Sequence, residues 1–180
     1  MPGSGKSTVG EHLAQRLGVP FIDLDHRLEQ ELGSTIRQFF ETEGEAKFRD
    51  KEAALLASIS AIPGGMVLST GGGVVLRPEN RAVLQNFGNV LYLHASPQEL
   101  YERVKHDRTR PLLQVGNPME KLRELYALRD CLYRETAHFV VETNQESVHR
   151  LVNTAMMKLH AKVETAGAGC NRPLTASETI

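Results

Sequence analysis

Short apolar runs alternate with amphipathic segments along this chain. Between Thr8 and Leu17 the apolar side chains recur with helical spacing, which predicts a helix that ends at Gly18. Four other runs are short and mostly apolar, as buried strands of a parallel sheet are. These predicted strands span residues 21–25, 66–70, 89–94 and 139–143.

Helical spacing and capping signals fill the intervals between the four runs. Ser34 is the predicted cap of one of these helices. Because strands alternate with helices of this length, the pattern predicts an α/β fold with a parallel sheet. The predicted helices lie near residues 26–32, 34–40, 44–59, 78–87, 96–106, 119–135 and 147–163.

The N-terminal residues match the second half of a phosphate-binding loop, G-x-x-x-x-G-K-[ST]. In such loops, backbone N–H groups hold phosphates, the lysine contacts the β- and γ-phosphates, and the hydroxyl binds Mg²⁺. We therefore interpret the stretch as an ATP and Mg²⁺ site; a chance match in a flexible terminus is the alternative. The matching residues are Gly3, Ser4, Gly5, Lys6, Ser7 and Thr8.

The first glycine of this pattern, and the strand that leads into such a loop, would have to precede Met1. The chain as printed therefore shows four strands of a sheet that we expect to hold a fifth. We expect the natural protein to start upstream of Met1. The alternative is a chain that begins here, folds poorly and has little activity.

Composition and charge favour an ordinary globular domain. Hydrophobic residues make up 41% of the chain, charged residues make up 24%, and the formal net charge is −1. Dispersed basic residues argue against nucleic-acid binding, and no apolar run approaches the ~18 residues of a membrane span. Cys131 and Cys170 form no disulfide framework or metal motif, so we expect a cytoplasmic setting.

Two aspartates stand at the end of the first predicted strand. Asp23 and Asp25 alternate by two, so their side chains point the same way at the strand end where ligands of parallel sheets bind. One could hold Mg²⁺, directly or through water, and the other could orient or deprotonate an acceptor hydroxyl. The alternative is an aspartate that caps the next helix beside a solvated neighbour.

Three arginines are candidates for contacts with anions. Arg49, with Glu52 three residues later, could fork a carboxylate substrate or could form only a surface ion pair. Arg110 lies in a polar connection that could close over a nucleotide or could be a solvated basic loop. Arg129 has no independent signal in the sequence.

A glycine triplet, Gly71-Gly72-Gly73, ends the second predicted strand. Glycine adopts backbone conformations closed to other residues and lets the backbone approach a ligand closely. We interpret the triplet as backbone beside a ligand, and a flexible loop is the alternative.

Together these stretches resemble the shikimate kinase family across about residues 1–160. The resemblance implies a three-layer, parallel-sheet P-loop kinase fold in which the strand expected before Met1 is central. It also implies transfer of the ATP γ-phosphate to the 3-hydroxyl of shikimate, in aromatic amino-acid biosynthesis. The matching motifs are Gly3-Ser4-Gly5-Lys6-Ser7-Thr8, Asp23-Leu24-Asp25, Phe48-Arg49-Asp50 with Glu52, Gly71-Gly72-Gly73, Arg110-Pro111-Leu112-Leu113 and Arg129-x-x-Leu132-Tyr133.

On the nucleotide side, the resemblance implies that residues 3–8 bind ATP, with Lys6 on the phosphates. It implies that Ser7 binds Mg²⁺ and that Asp23 does so through water. Arg110 would reach ATP from a lid at about residues 107–118 and, with Lys6, would serve catalysis. The region around Asn144 and Gln145 resembles the adenine-side loop.

On the acceptor side, the resemblance implies that Asp25 is the catalytic base and contacts the shikimate hydroxyls. Arg49 and Arg129 would hold the shikimate carboxylate, and Glu52 would steady Arg49. Gly71, Gly72 and Gly73 would line the ring of the substrate, and acceptor-binding helices would span about residues 26–60.

The resemblance has limits that leave alternatives open. Cys131 stands where the family usually has proline, and residues 161–180 extend past the usual end as what we expect to be a disordered tail. The resemblance suggests a monomer. Alternative functions are another small-metabolite kinase, such as a gluconate kinase, or a truncated ATP-binding protein with weak or no activity.

Overall fold

The computed structural model describes residues 1–105, 117–144, 146–167 and 177–179. Its helices and strands alternate along most of the chain, as the sequence pattern predicts. In order they are α1 (Lys6–Leu17), β1 (Phe21–Asp23), α2 (Leu24–Leu32), α3 (Ile36–Ser60), β2 (Met66–Ser69), a 3₁₀ helix (Val74–Leu76), α4 (Pro78–Phe87), β3 (Asn89–His94), α5 (Pro97–Val104), α6 (Pro118–Thr136), β4 (Phe139–Glu142), α7 (Val148–Gly167) and β5 (Ser177–Thr179).

The five strands form one sheet in the order β1-β2-β5-β3-β4, and all the pairs are parallel. Apolar side chains cover both faces, because consecutive residues of a strand point to opposite sides. Leu68 packs in a cluster with Phe48 and Leu122, whereas Val67 packs in a second cluster with Leu13. The sheet therefore lies between two helical layers, which confirms the predicted three-layer α/β fold.

The centre of the sheet is occupied by the last strand of the chain. In β5, Glu178 pairs with Val67 of β2 on one side and with Asn89 of β3 on the other. The prediction of a disordered tail over residues 161–180 is therefore wrong for residues 161–167, which continue α7, and for β5. Two unpaired parallel edges would leave buried N–H and C=O groups without partners, and β5 supplies those partners.

Helices lie on both sides of Gly44, as predicted, and α3 joins them across a kink where Gly44 takes φ 82°. Two further details differ from the sequence-based expectations. Strand β1 ends at Asp23 and α2 begins at Leu24, so Asp25, which was predicted to end the strand, lies on a helix. Thr35 rather than Ser34 caps α3, because its side chain accepts a hydrogen bond from the Gln38 N–H and Gln38 accepts one from the Thr35 N–H. Among the described helices, none combines the length and apolar content needed to cross a membrane.

The topology brings several chain segments to one edge of the sheet. The carboxyl ends of β1 and β2 lie at this edge, because these neighbouring strands are parallel. In open α/β sheets this is the edge where ligands bind. Asp25 follows β1 here, and the residues 71–73 follow β2.

Replacing Glu178 by proline tests whether β5 is an integral strand. Proline has no N–H for the ladder and is essentially absent from central strands. We expect the Glu178→Pro variant to lose roughly 2 kcal/mol of unfolding free energy, about 4–8 °C in Tm at this chain length. Calorimetry measures the change. The control Glu178→Val keeps the N–H and suits a strand, so its Tm should match or exceed that of the wild type; an unchanged Tm in Glu178→Pro would contradict a paired β5.

Candidate active site

The phosphate-binding loop connects Met1 to α1. Gly3 and Gly5 take φ 79° and 86°, left-handed values that favour glycine, and α1 begins directly after Gly5. The Met1 carbonyl accepts hydrogen bonds from Ser4 Oγ at 2.9 Å and from Lys6 Nζ at 3.1 Å. The loop thus presents an ammonium group next to the N–H groups of a helix N-terminus, a combination that suits phosphate.

Asp23 has two roles, one for each carboxylate oxygen. Oδ1 accepts from the backbone N–H groups of Asp25 at 3.1 Å and His26 at 3.2 Å, so it caps α2. Oδ2 accepts a hydrogen bond from Ser7 Oγ at 2.7 Å, which links the end of β1 to the first turn of α1. The capping role and the phosphate-side role, which the sequence offered as alternatives, are therefore compatible.

The Ser7–Asp23 pair fits a magnesium ion that also has phosphate ligands. Both side chains offer oxygen, which Mg²⁺ prefers, and Mg²⁺ usually takes only one or two protein ligands beside water and substrate phosphates. Within the described ranges no cluster of three or more His, Cys, Asp or Glu side chains could hold a metal alone. The donor set present therefore suits a metal that arrives with a nucleotide.

Asp25 lies in the first turn of α2, between the phosphate-binding loop and the glycine turn, which we define as residues 71–73. A Cβ on Gly71 would collide with the Asp25 carboxylate. Burial raises the pKa of Asp25 above its ordinary value, with Asp23 adding to the effect, while Lys6 and Arg49 act in the opposite direction. A carboxylate with a raised pKa accepts a proton more readily, as a general base requires.

Arg49 is held by two carboxylates rather than exposed as a surface ion pair. Its Nη1 donates to Glu52 Oε2 at 2.7 Å, its Nη2 donates to Glu45 Oε1 at 2.8 Å, and its side chain is only 13% exposed. The guanidinium carbon lies 5.2 Å from the centre of the Phe48 ring. This arrangement fixes the guanidinium against the backbone of Gly73, where a Cβ would collide with it.

Glu52 supports Arg49 and has one unused acceptor. Its side chain is buried, and burial raises its pKa although Arg49 opposes the shift. Oε1 has no hydrogen-bond partner in the part of the chain that the structure describes. A Cβ on Gly71 would lie 3.2 Å from this atom, so Oε1 faces the glycine turn. A buried acceptor without a partner is costly, so this atom is a candidate contact for a ligand hydroxyl.

Arg129 reaches the same turn from α6. Its Nη1 donates to the Gly72 carbonyl at 3.2 Å, and Tyr133 Oη donates to the same oxygen at 2.5 Å. Arg129 is 7% exposed, and its Nε has no partner in the described portion of the chain. Arg49 and Arg129 therefore meet at the glycine turn, which is held by fixed contacts and is no flexible loop.

Tyr133 also contacts the glycine turn, although the sequence predicted no role for it beyond its place in a matching motif. Its ring is buried, and burial raises the pKa of the phenol to about 12, so the hydroxyl remains a donor. The spacing of four residues from Arg129, which places both on one face of α6, is the signal that could have found it.

Some predicted site residues lie outside the described part of the chain. Arg110, most of the predicted lid at 107–118, and Gln145 are among them. Two residues at the end of the predicted lid are described: Asn117 caps α6 and Pro118 begins it. Asn144, in the region that the family resemblance assigns to the adenine-side loop, is exposed just after β4.

Comparison with known proteins identifies close relatives. A family model described as shikimate kinase matches residues 2–160. A shikimate kinase from Paracidovorax citrulli is 53% identical over 174 residues, which cover 96% of this chain and 92% of the relative. A solved structure of a shikimate kinase from Acinetobacter baumannii in complex with shikimate is 42% identical, with a TM-score of 0.85 over 89% of this chain and 90% of that chain.

A gluconokinase from Sinorhizobium meliloti 1021 is a more distant structural relative. It is 22% identical, with a TM-score of 0.51 over 91% of this chain and 90% of that chain. This likeness shows only that the two proteins share a fold.

Replacing Asp25 by asparagine should stabilise the protein at neutral pH. A raised folded-state pKa means that the native state binds more protons than the unfolded state, so stability falls as pH rises from the ordinary pKa of 3.8 through the raised value. Each unit of pKa corresponds to about 1.4 kcal/mol. Thermal unfolding across pH 3–8 measures the difference between wild type and variant.

The stabilisation by Asp25→Asn should be largest above the raised pKa and should disappear as pH falls to the ordinary value. Asp50→Asn is a matched control, because the Asp50 side chain is 70% exposed and its ion pair with Arg77 lies at the surface. An Asp25→Asn protein that is less stable than the wild type at pH 7 would contradict a desolvated carboxylate.

Proposed function

The chain belongs to the shikimate kinase family, and we propose that it transfers the γ-phosphoryl group of ATP to the 3-hydroxyl of shikimate at the site described above. The feature that supports this most strongly is the meeting of Arg49 and Arg129 at a glycine turn beside Asp25. The guanidinium of Arg49, whose side chain is 13% exposed, and the buried guanidinium of Arg129 suit a carboxylate, and a half-buried carboxylate with a raised pKa suits a hydroxyl. Shikimate has both groups.

In this proposal the acceptor binds at the glycine turn, and different residues hold its carboxylate and its ring hydroxyls. Arg49 and Arg129 would bind its carboxylate, since Arg129 still has an unpaired Nε–H in the described region and Arg49 is fixed by Glu52. Glu52 Oε1 would accept a hydrogen bond from a ring hydroxyl. The backbone of the glycine turn would line the ring, because it has no side chains to exclude a ligand.

The donor is ATP, bound by the phosphate-binding loop. Lys6 and the N-terminal N–H groups of α1 would contact its phosphates, and we propose that Ser7 and Asp23 would hold Mg²⁺. The metal would supply neutralisation of the phosphate charge. Arg110, assigned to the lid by the family resemblance, would add a second cation on the nucleotide.

The reaction needs in-line positioning and charge stabilisation more than covalent chemistry by the protein. The 3-hydroxyl oxygen attacks the γ-phosphorus, the bond to the oxygen that bridges the β- and γ-phosphates breaks, and ADP leaves. Asp25 accepts the proton of the hydroxyl, and its raised pKa favours this step. Lys6 contributes positive charge near the transferred group.

A cytoplasmic, monomeric enzyme of aromatic amino-acid biosynthesis is part of the proposal and rests on the family resemblance. The gluconate kinase alternative is supported by a fold likeness, whereas the family model that matches residues 2–160 is that of shikimate kinase. A truncated ATP-binding protein with weak or no activity is the other alternative.

An assay of ADP release tests the function. We expect the purified chain, with ATP and Mg²⁺, to release ADP in the presence of shikimate and not of gluconate. Turnover with gluconate alone would support the rival kinase. A folded protein that binds ATP but turns over neither acid would contradict catalysis altogether.

In the same assay, Arg129→Lys tests the acceptor site. Lysine cannot make the bidentate hydrogen bonds that a guanidinium makes with a carboxylate. We therefore expect the KM for shikimate to rise roughly tenfold or more while the KM for ATP is unchanged. Arg123→Lys, at an exposed position of α6, is the matched control and should behave like the wild type. An equal rise in both KM values would place Arg129 outside the acceptor site.

A further inference from the structure

Helix α6 is fastened to the sheet by a group of polar side chains on the side away from solvent. We call Tyr92, His94, Tyr126 and Asp130 the α6 tether: the first two belong to β3 and the last two to α6. None of these residues was assigned to the site from the sequence. All four lie close to the turn of α6 that carries Arg129.

The first contact of the α6 tether is between Tyr92 and Asp130. Tyr92 is 5% exposed, and its hydroxyl donates to Asp130 Oδ1 at 2.8 Å. The other oxygen of Asp130 accepts from Arg134 Nε at 2.8 Å. Burial opposes ionisation, but the hydrogen bonds from Arg134 and Tyr92 hold the pKa of Asp130 below its ordinary value, so the acceptor stays ionised at neutral pH.

The second contact runs through His94. Its Nδ1 lies 2.5 Å from Glu142 Oε2 on β4, and its Nε2 lies 2.8 Å from Tyr126 Oη on α6. The tautomer with its proton on Nδ1 satisfies both contacts, because Nδ1 then donates to the carboxylate and Nε2 accepts from Tyr126. This pair ties α6 to the ends of two strands one turn before Asp130.

The tether also reaches the glycine turn. The ring of Tyr92 stacks on that of Tyr133, with centroids 4.9 Å apart and an angle of 26° between the planes. Tyr133 and Arg129 donate to the same Gly72 carbonyl. Tyr92 therefore contacts both Asp130, the neighbour of Arg129 in sequence, and Tyr133, the neighbour of Arg129 on the helix face.

Apolar packing alone would leave the rotation of α6 about its axis weakly defined. Leu122 and Leu125 bury the helix against the sheet, but hydrophobic contact is not directional. Hydrogen bonds are directional. Errors of about 1 Å in the position of a binding group can cost roughly 10²-fold in rate, so the rotation of α6 matters for Arg129.

We propose that Tyr92 and Asp130 are positioning residues for Arg129: their hydrogen bond sets the rotation of α6 that aims the guanidinium at the acceptor carboxylate. His94 and Tyr126 hold the preceding turn in the same way. This inference rests on the proposed function only for the identity of the acceptor, shikimate. Neither Tyr92 nor Asp130 is among the residues proposed to bind the acceptor.

A double-mutant cycle tests the proposal. Tyr92→Phe removes the hydroxyl and keeps the ring, Asp130→Ala removes its acceptor, and the double variant removes both. We expect each single change to raise the KM for shikimate about three- to tenfold with the KM for ATP unchanged, and the double variant to show no further rise. Asp130→Asn keeps an acceptor oxygen for Tyr92 and should restore a KM near that of the wild type.

Leu125→Val is the control for stability, because it removes packing from α6 without removing a hydrogen-bonding group of the α6 tether. If Leu125→Val raises the KM for shikimate as much as Tyr92→Phe at an equal loss of Tm, loosening of the helix explains the effect and the proposal is overturned. Additive effects in the double variant, or unchanged KM values in both single variants, would also overturn it.

A readout that needs no turnover separates this proposal from the proposed function. The Nε–H of Arg129 is buried, and Arg129→Lys assigns its signal in a ¹⁵N NMR spectrum by removing it. We expect that signal to shift or broaden in Tyr92→Phe and Asp130→Ala, and not in Leu125→Val. An inactive wild type in which these shifts occur would reject the function and support the positioning role; an unmoved signal would reject the positioning role whatever the activity.

Discussion

The site depends on how closely the backbone after β2 approaches two charged side chains. A Cβ on Gly71 would collide with the Asp25 carboxylate, and a Cβ on Gly73 would collide with the Arg49 guanidinium. The carbonyl of Gly72, between them, accepts from Arg129. Because glycine has no side chain, one short turn gathers groups from α2, α3 and α6 around a single point. The hydrogen bond from Ser7 to Asp23 holds the phosphate-binding loop at the same edge.

Charge burial at this point shapes both stability and function. Glu52 is fully buried and is held by Arg49, whose guanidinium lies over the Phe48 ring. Glu52 Oε1 and Arg129 Nε lack partners within the described residues. Buried groups with unused hydrogen-bonding capacity cost stability, but they are already oriented for a polar ligand. The proposed acceptor would supply a hydroxyl for the first and a carboxylate for the second.

Local patterns predicted most of the fold, because helical spacing and short apolar runs are properties of neighbouring residues. Strand β5 could not be predicted: Ser177, Glu178 and Thr179 lack the apolar character of a buried strand, and their partners lie far away in sequence. The residues of the candidate site also differ in whether a local sequence pattern predicts them. Asp25 follows a strand and could be found locally, whereas Arg129 needed the family resemblance. The contact of Tyr92 with α6 was missed because a strand tyrosine is indistinguishable from a core residue in the sequence.

Calorimetric titration of shikimate into a Gly73→Ala variant tests most directly whether the glycine turn forms the acceptor site. Gly73 has φ −95°, which alanine adopts freely, so any loss of affinity comes from the added methyl group. We expect its Kd to be at least roughly tenfold weaker, about 1.4 kcal/mol, because the methyl displaces Arg49. Gly72→Ala, whose Cβ would lie 3.3 Å from Tyr133 Oη, should lose less. Wild-type affinity in Gly73→Ala would contradict the central claim.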